Sequence, residues 1–490
     1  MRVLIFHGYL LRGTGSNVYN ASLAAALVGL GHEVHLLCQE RHAAELDFVG
    51  AVGDWDSGQL QIKAVRDSAC TVYRPPIGPL LPVYVRDRYE GAEARPFPEL
   101  TDEELRVYTE ANVNAVAEVV ERVRPKAALA NHLIMGPAIL ARALDGPGIP
   151  YAVTIHGSAL EYTVKPHPRF LPPAREGLAR ARAVLVGSRH TAQSLWAALE
   201  DPSLPPRTRL GPPGVDVDAF RPLAHQAARE WLAALAEAIE VRTLAQRIGA
   251  RATASSAEEP SSDFERDGAA TARALQALAH KPPEAPLVAF VGKLIPAKGI
   301  ELLLRAWPSV LAEIPEARLA VVGFGAWRQE AHDLAQALGA ASSIVFTGRL
   351  EHEELAALLP LCEAIVVPST FPESFGMVAA EAAACGVLPI SAAHSGLAEV
   401  SGVLAASLPE SVRGLVSFPL GAGAVAAIAQ RVIAWLRTPA AVRLEARTAL
   451  AQAVADHYSW QSVARGVIAA ARGELDALEP AGRLAPADGE

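Results

Sequence analysis

The segment PSTFPESFGMVAAEA, residues 368–382, follows a short apolar run and leads into an alanine-rich helix. Glu373 falls in the loop and Glu381, eight positions later, falls on the helix. The backbone N–H groups of residues 376–378 lie at the helix N-terminus, where unpaired donors and the helix dipole favour an anion. This order of groups suits a nucleotide sugar: the loop carboxylate would bind the sugar, the anion-binding helix N-terminus the diphosphate, and the helical carboxylate the ribose.

Short apolar runs alternate with helical periodicity along most of the chain, which predicts an α/β fold with parallel sheets. Two doubly wound, Rossmann-like halves are therefore expected, one after the other. Ligands of such sheets bind beyond the carboxyl ends of the strands, so the loops that follow strands carry the candidate sites. The predicted strands are residues 2–7, 33–38, 127–130, 151–155 and 183–186 in the first half, and 287–291, 318–322, 343–346, 364–367 and 388–390 in the second.

The pattern divides the sequence into several predicted segments. A first Rossmann-like domain covers residues 1–222 and a second covers 287–455. Residues 223–286 show helical spacing around a Ser/Ala/Glu-rich centre, which predicts a helical hairpin with a mobile tip near the hinge; a disordered linker is the alternative. Residues 474–490 are predicted to form a frayed tail.

The composition excludes several classes of protein. Of 490 residues, 51% are hydrophobic and 20% charged, which is ordinary for a soluble protein. The net charge of −9 argues against a nucleic-acid partner, and the longest uncharged run, 414–430, contains a proline and three glycines and is rejected as a membrane span. The composition does not exclude peripheral contact with a membrane. Four scattered cysteines without a CxxC pair indicate reduced thiols in a cytoplasmic protein.

Two lysines follow the first strand of the second half, in the loop VGKLIPAKG at residues 291–299. Lys293 and Lys298 put two cations on one loop, where they can neutralise a leaving diphosphate as its charge develops. The loop alone is also consistent with two solvated lysines. Together with Glu373 and Glu381, it favours a diphosphate site.

Two loops of the first half offer further contacts. His156 follows the strand at 151–155 and is placed to bond a sugar hydroxyl, although a lone histidine is more often structural. The loop from Gly13 to Gly15 follows the first strand and lets backbone N–H groups approach a phosphate or an acceptor. It does not complete a GxGxxG motif, so a nicotinamide dehydrogenase is poorly supported.

Weaker candidates lie at other strand ends. Gly323 belongs to a Gly-Phe-Gly turn, and Phe346 and Gly348 close the next strand of the second half. Each is either a ligand loop or a plain turn. Asp216 and Asp218 have the spacing of a metal-binding DxD motif, but their position at the domain junction favours a connecting turn.

A stretch rich in Pro, Tyr and Arg, residues 73–95, is the candidate acceptor segment. It contains Arg74, Tyr84 and Arg86. An irregular surface loop is the alternative interpretation of the same residues.

Together these motifs resemble the retaining GT-B glycosyltransferases of family 4, the group that includes glycogen-synthase-like and mannosyltransferase-like enzymes. The resemblance covers most of the chain except about 223–286. Its core is the E-x7-E element from Glu373 to Glu381. Supporting matches are Gly292-Lys293…Lys298-Gly299, Gly214-Val215-Asp216…Phe220…Pro222, Ser395-Gly396-Leu397…Glu399-Val400 and Tyr458-Ser459-Trp460.

The resemblance implies a GT-B architecture, in which two Rossmann-like domains face each other across a cleft. It makes 1–222 the acceptor-side domain, 287–455 the nucleotide-sugar-binding domain, and 456–473 a helix that crosses back to the first domain. By the same resemblance, Glu373 bonds donor-sugar hydroxyls, Glu381 bonds the ribose, His156 contacts the sugar, and the lysines hold the diphosphate.

The predicted site residues fall into three sets. The catalytic set is His156, Lys293, Lys298 and Glu373. The donor and nucleotide set is Gly15, Gly292, Gly323, Phe346, Gly348, Ser374, Phe375, Gly376, Met377, Val378 and Glu381. The acceptor set is Gly13, Arg74, Tyr84 and Arg86.

Two positions depart from the family pattern. Lys293 stands where the family usually has arginine, so it supplies a point charge without the two-pronged geometry of a guanidinium. The first loop has Gly13 and Gly15 separated by threonine in place of the commoner Gly-Gly, which leaves the acceptor side less defined.

The expected activity is transfer of a hexose from a UDP-sugar or GDP-mannose to an unidentified acceptor hydroxyl, with retention and by front-face attack. No cofactor and no metal are expected. The predicted protein is a cytoplasmic monomer or homodimer, with contact to the inner face of a membrane left open. A non-catalytic nucleotide-sugar-binding or regulatory protein of the same fold is the alternative.

Overall fold

The computed structural model describes residues 1–13, 15–84, 93–252 and 267–482, without the side chains of 246–252. Its contacts divide the chain into two units. The N-terminal unit comprises the described residues of Met1–Gly214 and those from Trp460 to 482, and the C-terminal unit comprises the described residues between Val215 and Ser459. Arg86 and most of the predicted mobile tip lie outside the described residues.

The N-terminal unit is built on a nine-stranded sheet. The described strands of the whole unit, two of which lie outside this sheet, are β1 (Arg2–Phe6), β2 (Glu33–Leu37), β3 (Ala51–Asp56), β4 (Gln59–Ala64), β5 (Cys70–Arg74), β6 (Leu80–Val83), β7 (Glu93–Pro96), β8 (Ala127–Asn131), β9 (Tyr151–Ile155), β10 (Ala183–Val186) and β11 (Thr208–Leu210). The sheet order is β11-β10-β9-β8-β1-β2-β5-β3-β4, while β6 and β7 form a separate pair. All neighbours in the large sheet are parallel except the β3–β4 hairpin.

Helices cover both faces of this sheet, because its central strands are apolar on both sides. Val3 and Ile5 of β1 enter one hydrophobic core, and Leu4 and Phe6 enter the other. The helices are α1 (Gly15–Gly29), α2 (Asp102–Val123), α3 (Gly136–Ala143), α4 (Leu171–Ala179) and α5 (Arg189–Leu199). The first of them begins at Gly15, directly after the loop that contains Gly13.

The C-terminal unit is built on a six-stranded parallel sheet. Its strands are β12 (Leu287–Val291), β13 (Arg318–Val322), β14 (Ile344–Gly348), β15 (Ala364–Val367), β16 (Leu388–Ala392) and β17 (Ser417–Phe418). The order is β14-β13-β12-β15-β16-β17, the doubly wound order of a Rossmann-like sheet. The direction of winding reverses between β12 and β15, so the loops after these two strands flank the switch point.

The helices of this unit share one hydrophobic core with the sheet. They are α6 (His225–Ala252), α7 (Gly268–Ala279), α8 (Ile300–Glu313), α9 (Arg328–Ala337), α10 (His352–Leu358), α11 (Met377–Ala384), α12 (Ser395–Ser407), α13 (Glu410–Arg413), α14 (Ala424–Leu436) and α15 (Ala440–Tyr458). The predicted hairpin corresponds to α6 and α7. Leu232 and Ile239 of α6 and Leu275 of α7 are buried in the core, so these helices belong to the C-terminal unit.

A last helix, α16 (Trp460–Arg472), packs on α1 and on β8, β9 and β10 of the N-terminal unit. The sequence predicts fraying after residue 473, whereas the described part of that tail is paired. The Leu210 N–H donates to the Glu479 carbonyl over 2.8 Å, and Ala481 is buried. Among the described residues, no helix has the length and apolar composition needed to cross a membrane.

Candidate active site

The loops after β12 and β15 are joined at the switch point of the C-terminal sheet. The Thr370 N–H donates to the Ala297 carbonyl over 2.9 Å. Gly299 adopts a φ of +68°, and a Cβ there would lie 1.9 Å from the Pro368 carbonyl oxygen. Only glycine fits this contact, because a side chain would force the two loops apart. The predicted lysines, Lys293 and Lys298, lie on the loop after β12, and the predicted carboxylate of Glu373 lies on the loop after β15.

The Lys298 ammonium group forms an ion pair with the Glu373 carboxylate. The Ser369 hydroxyl donates to the same carboxylate oxygen over 2.7 Å, and the Glu373 N–H donates to Ser395 Oγ over 2.9 Å. The side chains of Lys298 and Glu373 are 34% and 23% exposed. The structure therefore brings these two predicted residues together in a half-buried place that solvent still reaches.

The start of α11 is packed tightly by glycines. Gly376 has a φ of +120°, and a Cβ there would meet the Leu397 side chain at 2.6 Å. A Cβ on Gly396 would lie 2.6 Å from the backbone of Ser374. In the described part of the chain, no side chain caps α11, so its first N–H groups keep their partial positive charge for an incoming anion.

Glu381 lies on α11 and is only 6% exposed. Burial raises the pKa of its carboxyl group to about 8. His352 Nε2 lies 4.0 Å from Glu381 Oε1, and burial also lowers the pKa of this histidine. The carboxyl group is therefore mostly neutral at pH 7, and hydroxyl groups that donate to it would favour its ionised form.

The loops after β12, β13 and β14 also touch through their backbones. The Gly323 N–H donates to the Gly348 carbonyl over 2.9 Å. Gly323 has a φ of +148°, and a Cβ there would lie 1.8 Å from the Gly292 carbonyl oxygen. Phe346 stacks on His332 with ring centroids 3.8 Å apart. These weaker candidates thus share one edge of the sheet with Lys298 and Glu373.

Three histidines follow parallel strands at the carboxyl edge of the N-terminal sheet: His7 after β1, His132 after β8 and His156 after β9. The ring centroid of His132 lies 5.7 Å from that of His7 and 4.9 Å from that of His156. Burial lowers the pKa of His7 to about 4, that of His156 to about 3, and that of His132 well below its ordinary value. All three rings are therefore neutral at pH 7.

The contacts of these rings differ. His156 Nε2 donates to Asn131 Oδ1 over 2.8 Å. His132 has a φ of +66°, and neither of its ring nitrogens has a hydrogen-bond partner among the described residues. Its ring centroid lies 5.3 Å from that of Tyr9 and 4.7 Å from that of Tyr84.

The predicted acceptor residues are spread over three places of the N-terminal unit. Gly13 has a φ of +96° in the loop before α1. Arg74 ends β5 and forms an ion pair with Asp54 of β3 over 2.8 Å. The Tyr84 hydroxyl donates to the Ile134 carbonyl, and burial raises the pKa of this phenol well above its ordinary value.

Asp216 accepts hydrogen bonds from the backbone N–H groups of Asp218 and Ala219 over 3.1 and 3.0 Å. This arrangement is a connecting turn, as the sequence favours. The described residues contain no group of three His, Cys, Asp or Glu side chains arranged to hold a metal ion.

Sequence reasoning missed several polar residues of these edges. Ser369 was part of the leading motif without a role of its own, and it donates to Glu373. Asn131 and His132 lie at the end of β8. His156 was selected because it directly follows a strand, and the same criterion applies to these two residues. They were overlooked because no glycine or charge marks that loop.

Two family models match the chain. The model described as "Glycosyl transferases group 1" matches residues 275–449, and the model described as "Glycosyl transferase 4-like domain" matches residues 14–214. The first lies in the C-terminal unit and the second in the N-terminal unit. The chain therefore belongs to the GT-B glycosyltransferases of family 4.

Individual relatives are matched over part of their length. D-inositol 3-phosphate glycosyltransferase 2 of Catenulispora acidiphila is 36% identical over 168 residues, which are 32% of this chain and 39% of that protein. The chain spans about two fifths of the length of such relatives.

Solved structures are matched over nearly the whole chain. Sucrose-phosphate synthase of Thermosynechococcus elongatus is 19% identical with a TM-score of 0.58, over 97% of this chain and 99% of that chain. HepE of Anabaena, in complex with UDP and glucose, is 14% identical with a TM-score of 0.57, over 95% of this chain and 98% of that chain. At these identities the likeness concerns the fold, two Rossmann-like parallel-sheet units of the GT-B class.

Acid should destabilise the N-terminal unit through its buried histidines. An unfolded histidine binds its proton near pH 6.5, but folded His7 does so only near pH 4, so the unfolded state holds more protons between these values. Stability therefore falls as the pH drops, for His7 alone by about 3 kcal/mol by pH 4. In urea denaturation, His7→Gln should lose less stability than the wild type between pH 6.5 and 4. Equal pH slopes in the two proteins would contradict a neutral, buried His7.

Proposed function

We propose that the protein transfers a hexose from a nucleotide-diphosphate sugar to an acceptor hydroxyl, with retention of the anomeric configuration. The observation that carries this proposal is the meeting of Lys298, Glu373 and the uncapped N-terminus of α11 beside one switch point. A cation and a helix N-terminus suit a diphosphate, and a carboxylate suits sugar hydroxyls. UDP-sugars and GDP-mannose are the donors we favour, and HepE of Anabaena is a fold neighbour with bound UDP and glucose.

The chemistry requires the leaving group to be stabilised. When the bond between the anomeric carbon and the β-phosphate oxygen breaks, the electron pair stays on the phosphate. Lys298, Lys293 and the α11 N–H groups stabilise that charge more than the charge of the intact donor, and so lower the barrier. The acceptor oxygen bonds to the anomeric carbon on the face that the diphosphate leaves, and its proton passes to the departing phosphate oxygen.

The ion pair between Lys298 and Glu373 has a role in this scheme. Without donor, each group neutralises the other. On donor binding, Lys298 turns to the diphosphate and Glu373 accepts hydrogen bonds from the sugar hydroxyls, so neither charge is left buried without a partner. We assign Glu381 to the ribose hydroxyls and His156 to the donor sugar.

The remaining members of the donor set supply backbone contacts under this proposal. Gly15, Gly376, Met377 and Val378 offer N–H groups to phosphate, and Gly292, Ser374 and Phe375 shape the loops around it. Gly323, Phe346 and Gly348 face the nucleoside. Gly13, Arg74, Tyr84 and Arg86 stay as the acceptor hypothesis.

Lys298→Ala should lower turnover by roughly 10²- to 10³-fold, because a fixed charge that stabilises the leaving diphosphate is lost. Turnover is measured as release of nucleoside diphosphate from the donor that the wild type uses. Lys63→Ala, which removes an exposed lysine of β4, is the matched control and should keep wild-type turnover. Near-normal turnover in a folded Lys298→Ala protein would contradict the assignment.

Glu373→Ala should weaken binding of the intact nucleotide sugar more than binding of the free nucleoside diphosphate, because Glu373 is assigned to the sugar. Isothermal calorimetry with UDP-sugar against UDP, or GDP-mannose against GDP, separates the two effects. Glu301→Ala removes a carboxylate of α8 that pairs with Arg305 and serves as the control. Equal losses of affinity for both ligands in Glu373→Ala would contradict the assignment of Glu373 to the sugar.

Nucleotide affinity should rise with pH because the Glu381 carboxyl group has a pKa of about 8 in the structure. Ribose hydroxyls donate to the ionised carboxylate, so below about pH 8 the binding of nucleotide releases the proton of Glu381. The affinity for nucleotide therefore rises with pH, by at most about tenfold per pH unit, and levels off above the pKa. Calorimetry with UDP and GDP between pH 7 and 9 measures the slope. Glu381→Gln should bind more weakly and without this slope; a flat wild-type profile would contradict the role.

A panel of nucleotide sugars, scored by released nucleoside diphosphate, tests the function as a whole. Thermal stabilisation by UDP or GDP without release from any donor would favour the alternative, a binding or regulatory protein. Release from one donor class identifies the base and the sugar.

A further inference from the structure

A line of buried polar side chains connects the loop before α1 with His156. Asn17, His7, Asn20 and Asn131 are each at most 2% exposed, and each is hydrogen-bonded to the next. Such a buried network is stable only when every donor meets an acceptor, so the direction of each bond can be worked out from its fixed members.

Backbone carbonyls fix the first two amides. A carbonyl oxygen only accepts hydrogen bonds, so the amide atom beside it must be the NH2 group. Asn17 Nδ2 donates to the Arg12 carbonyl over 2.8 Å, and Asn20 Nδ2 donates to the Ser16 carbonyl over 2.8 Å. Neither amide can be turned over without placing an oxygen against an oxygen.

The tautomer of His7 follows from these two amides. Asn17 Oδ1 lies 3.0 Å from His7 Nε2, so Nε2 must carry the ring proton. Asn20 Nδ2 lies 3.0 Å from His7 Nδ1 and donates its second hydrogen there. His7 therefore receives at one nitrogen and donates at the other, as only a neutral imidazole can.

The remaining bonds carry the same direction to His156. Asn131 Nδ2 donates to Asn20 Oδ1 over 2.7 Å and makes a longer contact of 3.4 Å with the Phe6 carbonyl. Asn131 Oδ1 is thereby turned to His156 Nε2 at 2.8 Å. His156 must carry its proton on Nε2 and its lone pair on Nδ1.

We propose that Asn17, His7, Asn20 and Asn131 are positioning residues that hold His156 neutral, in one orientation and in the Nε2–H tautomer, and that tie it to the loop of Gly13. This inference rests on the proposed role of His156 at the donor sugar. The four residues act through His156 and need not touch the substrate.

The low pKa values of both histidines agree with this network, because burial disfavours the imidazolium ion and, at His7, outweighs the hydrogen bonds with Asn17 and the Leu10 backbone that raise the pKa. A carboxylate in the line would change that balance. Asp at position 131 would still accept from His156 Nε2, but it would attract a second proton to the ring and would no longer donate to Asn20.

The first test is Asn131→Asp, followed by nitrogen-15 NMR of the histidine rings and by turnover of the donor that the wild type uses. Wild-type His156 should show a protonated Nε2 and an unprotonated Nδ1 at neutral pH. The variant should show both nitrogens protonated and roughly 10- to 100-fold lower turnover, with unchanged affinity for UDP or GDP. Asn112→Asp, a buried asparagine of α2 outside the line, is the matched control and should keep wild-type turnover.

The second test acts at a distance and covers the case in which Asn131→Asp does not fold. His7→Gln keeps a donor for Asn17 and an acceptor for Asn20, whereas His7→Leu keeps neither. Turnover should be at least tenfold higher in His7→Gln than in His7→Leu, and only His7→Gln should keep the His156 Nε2–H signal.

Three results would overturn the proposal: a wild-type His156 protonated on Nδ1, equal turnover in the two His7 variants, or equal losses in Asn131→Asp and Asn112→Asp. The NMR result does not depend on catalysis. If no nucleotide sugar is turned over by the wild type, the proposed function fails while the tautomer still decides whether the line orients His156.

Discussion

Two close backbone approaches hold the candidate donor site together. Gly299 lies against the Pro368 carbonyl, and Gly323 lies against the Gly292 carbonyl, at distances that leave no room for a Cβ. These contacts arise because parallel strands end at the same edge of a sheet, where their loops crowd one another. Glycine relieves the crowding and lets the loops touch. The ion pair between Lys298 and Glu373 depends on that contact, since the two residues are 75 positions apart in the chain.

The carboxyl edge of the N-terminal sheet is crowded in the same way, but there polar side chains fill the space between the loops. His7, Asn131 and His156 sit at the ends of adjacent strands, and their polar atoms would each cost free energy if buried without partners. Asn20 reaches from α1 to join them. The result is a buried polar layer in which the Arg12 and Ser16 carbonyls fix the orientation of the Asn17 and Asn20 amides.

The sequence predicted what depends on local pattern and missed what depends on contacts between loops. Short, mainly apolar runs such as Leu287–Val291 and Tyr151–Ile155 were predicted with the bounds that the structure has. The strands at Ala51–Asp56 and Gln59–Ala64 were not predicted, because the second has only Leu60 buried and lacks a strong apolar face. The motif from Glu373 to Glu381 indicated the family, which the family models confirm. The ion pair of Glu373 with Lys298 could not be derived, since it is made between loops whose approach depends on Gly299.

The two edges differ in charge in a way that suits the proposed reaction. Cleavage of a nucleotide sugar places positive charge on the anomeric carbon and negative charge on the diphosphate. Cations are therefore useful beside the phosphate, where Lys298 and the α11 N-terminus are assigned, and harmful beside the sugar, where His156 is assigned. A histidine titrating near pH 6.5 would be partly cationic in the cell, so burial and a neutral amide partner are what make an imidazole tolerable there. The same reasoning explains why the hydrogen-bond partner of His156 is an asparagine: an aspartate in the place of Asn131 would still accept from His156 Nε2, but it would attract a second proton, and with it a positive charge, to the ring.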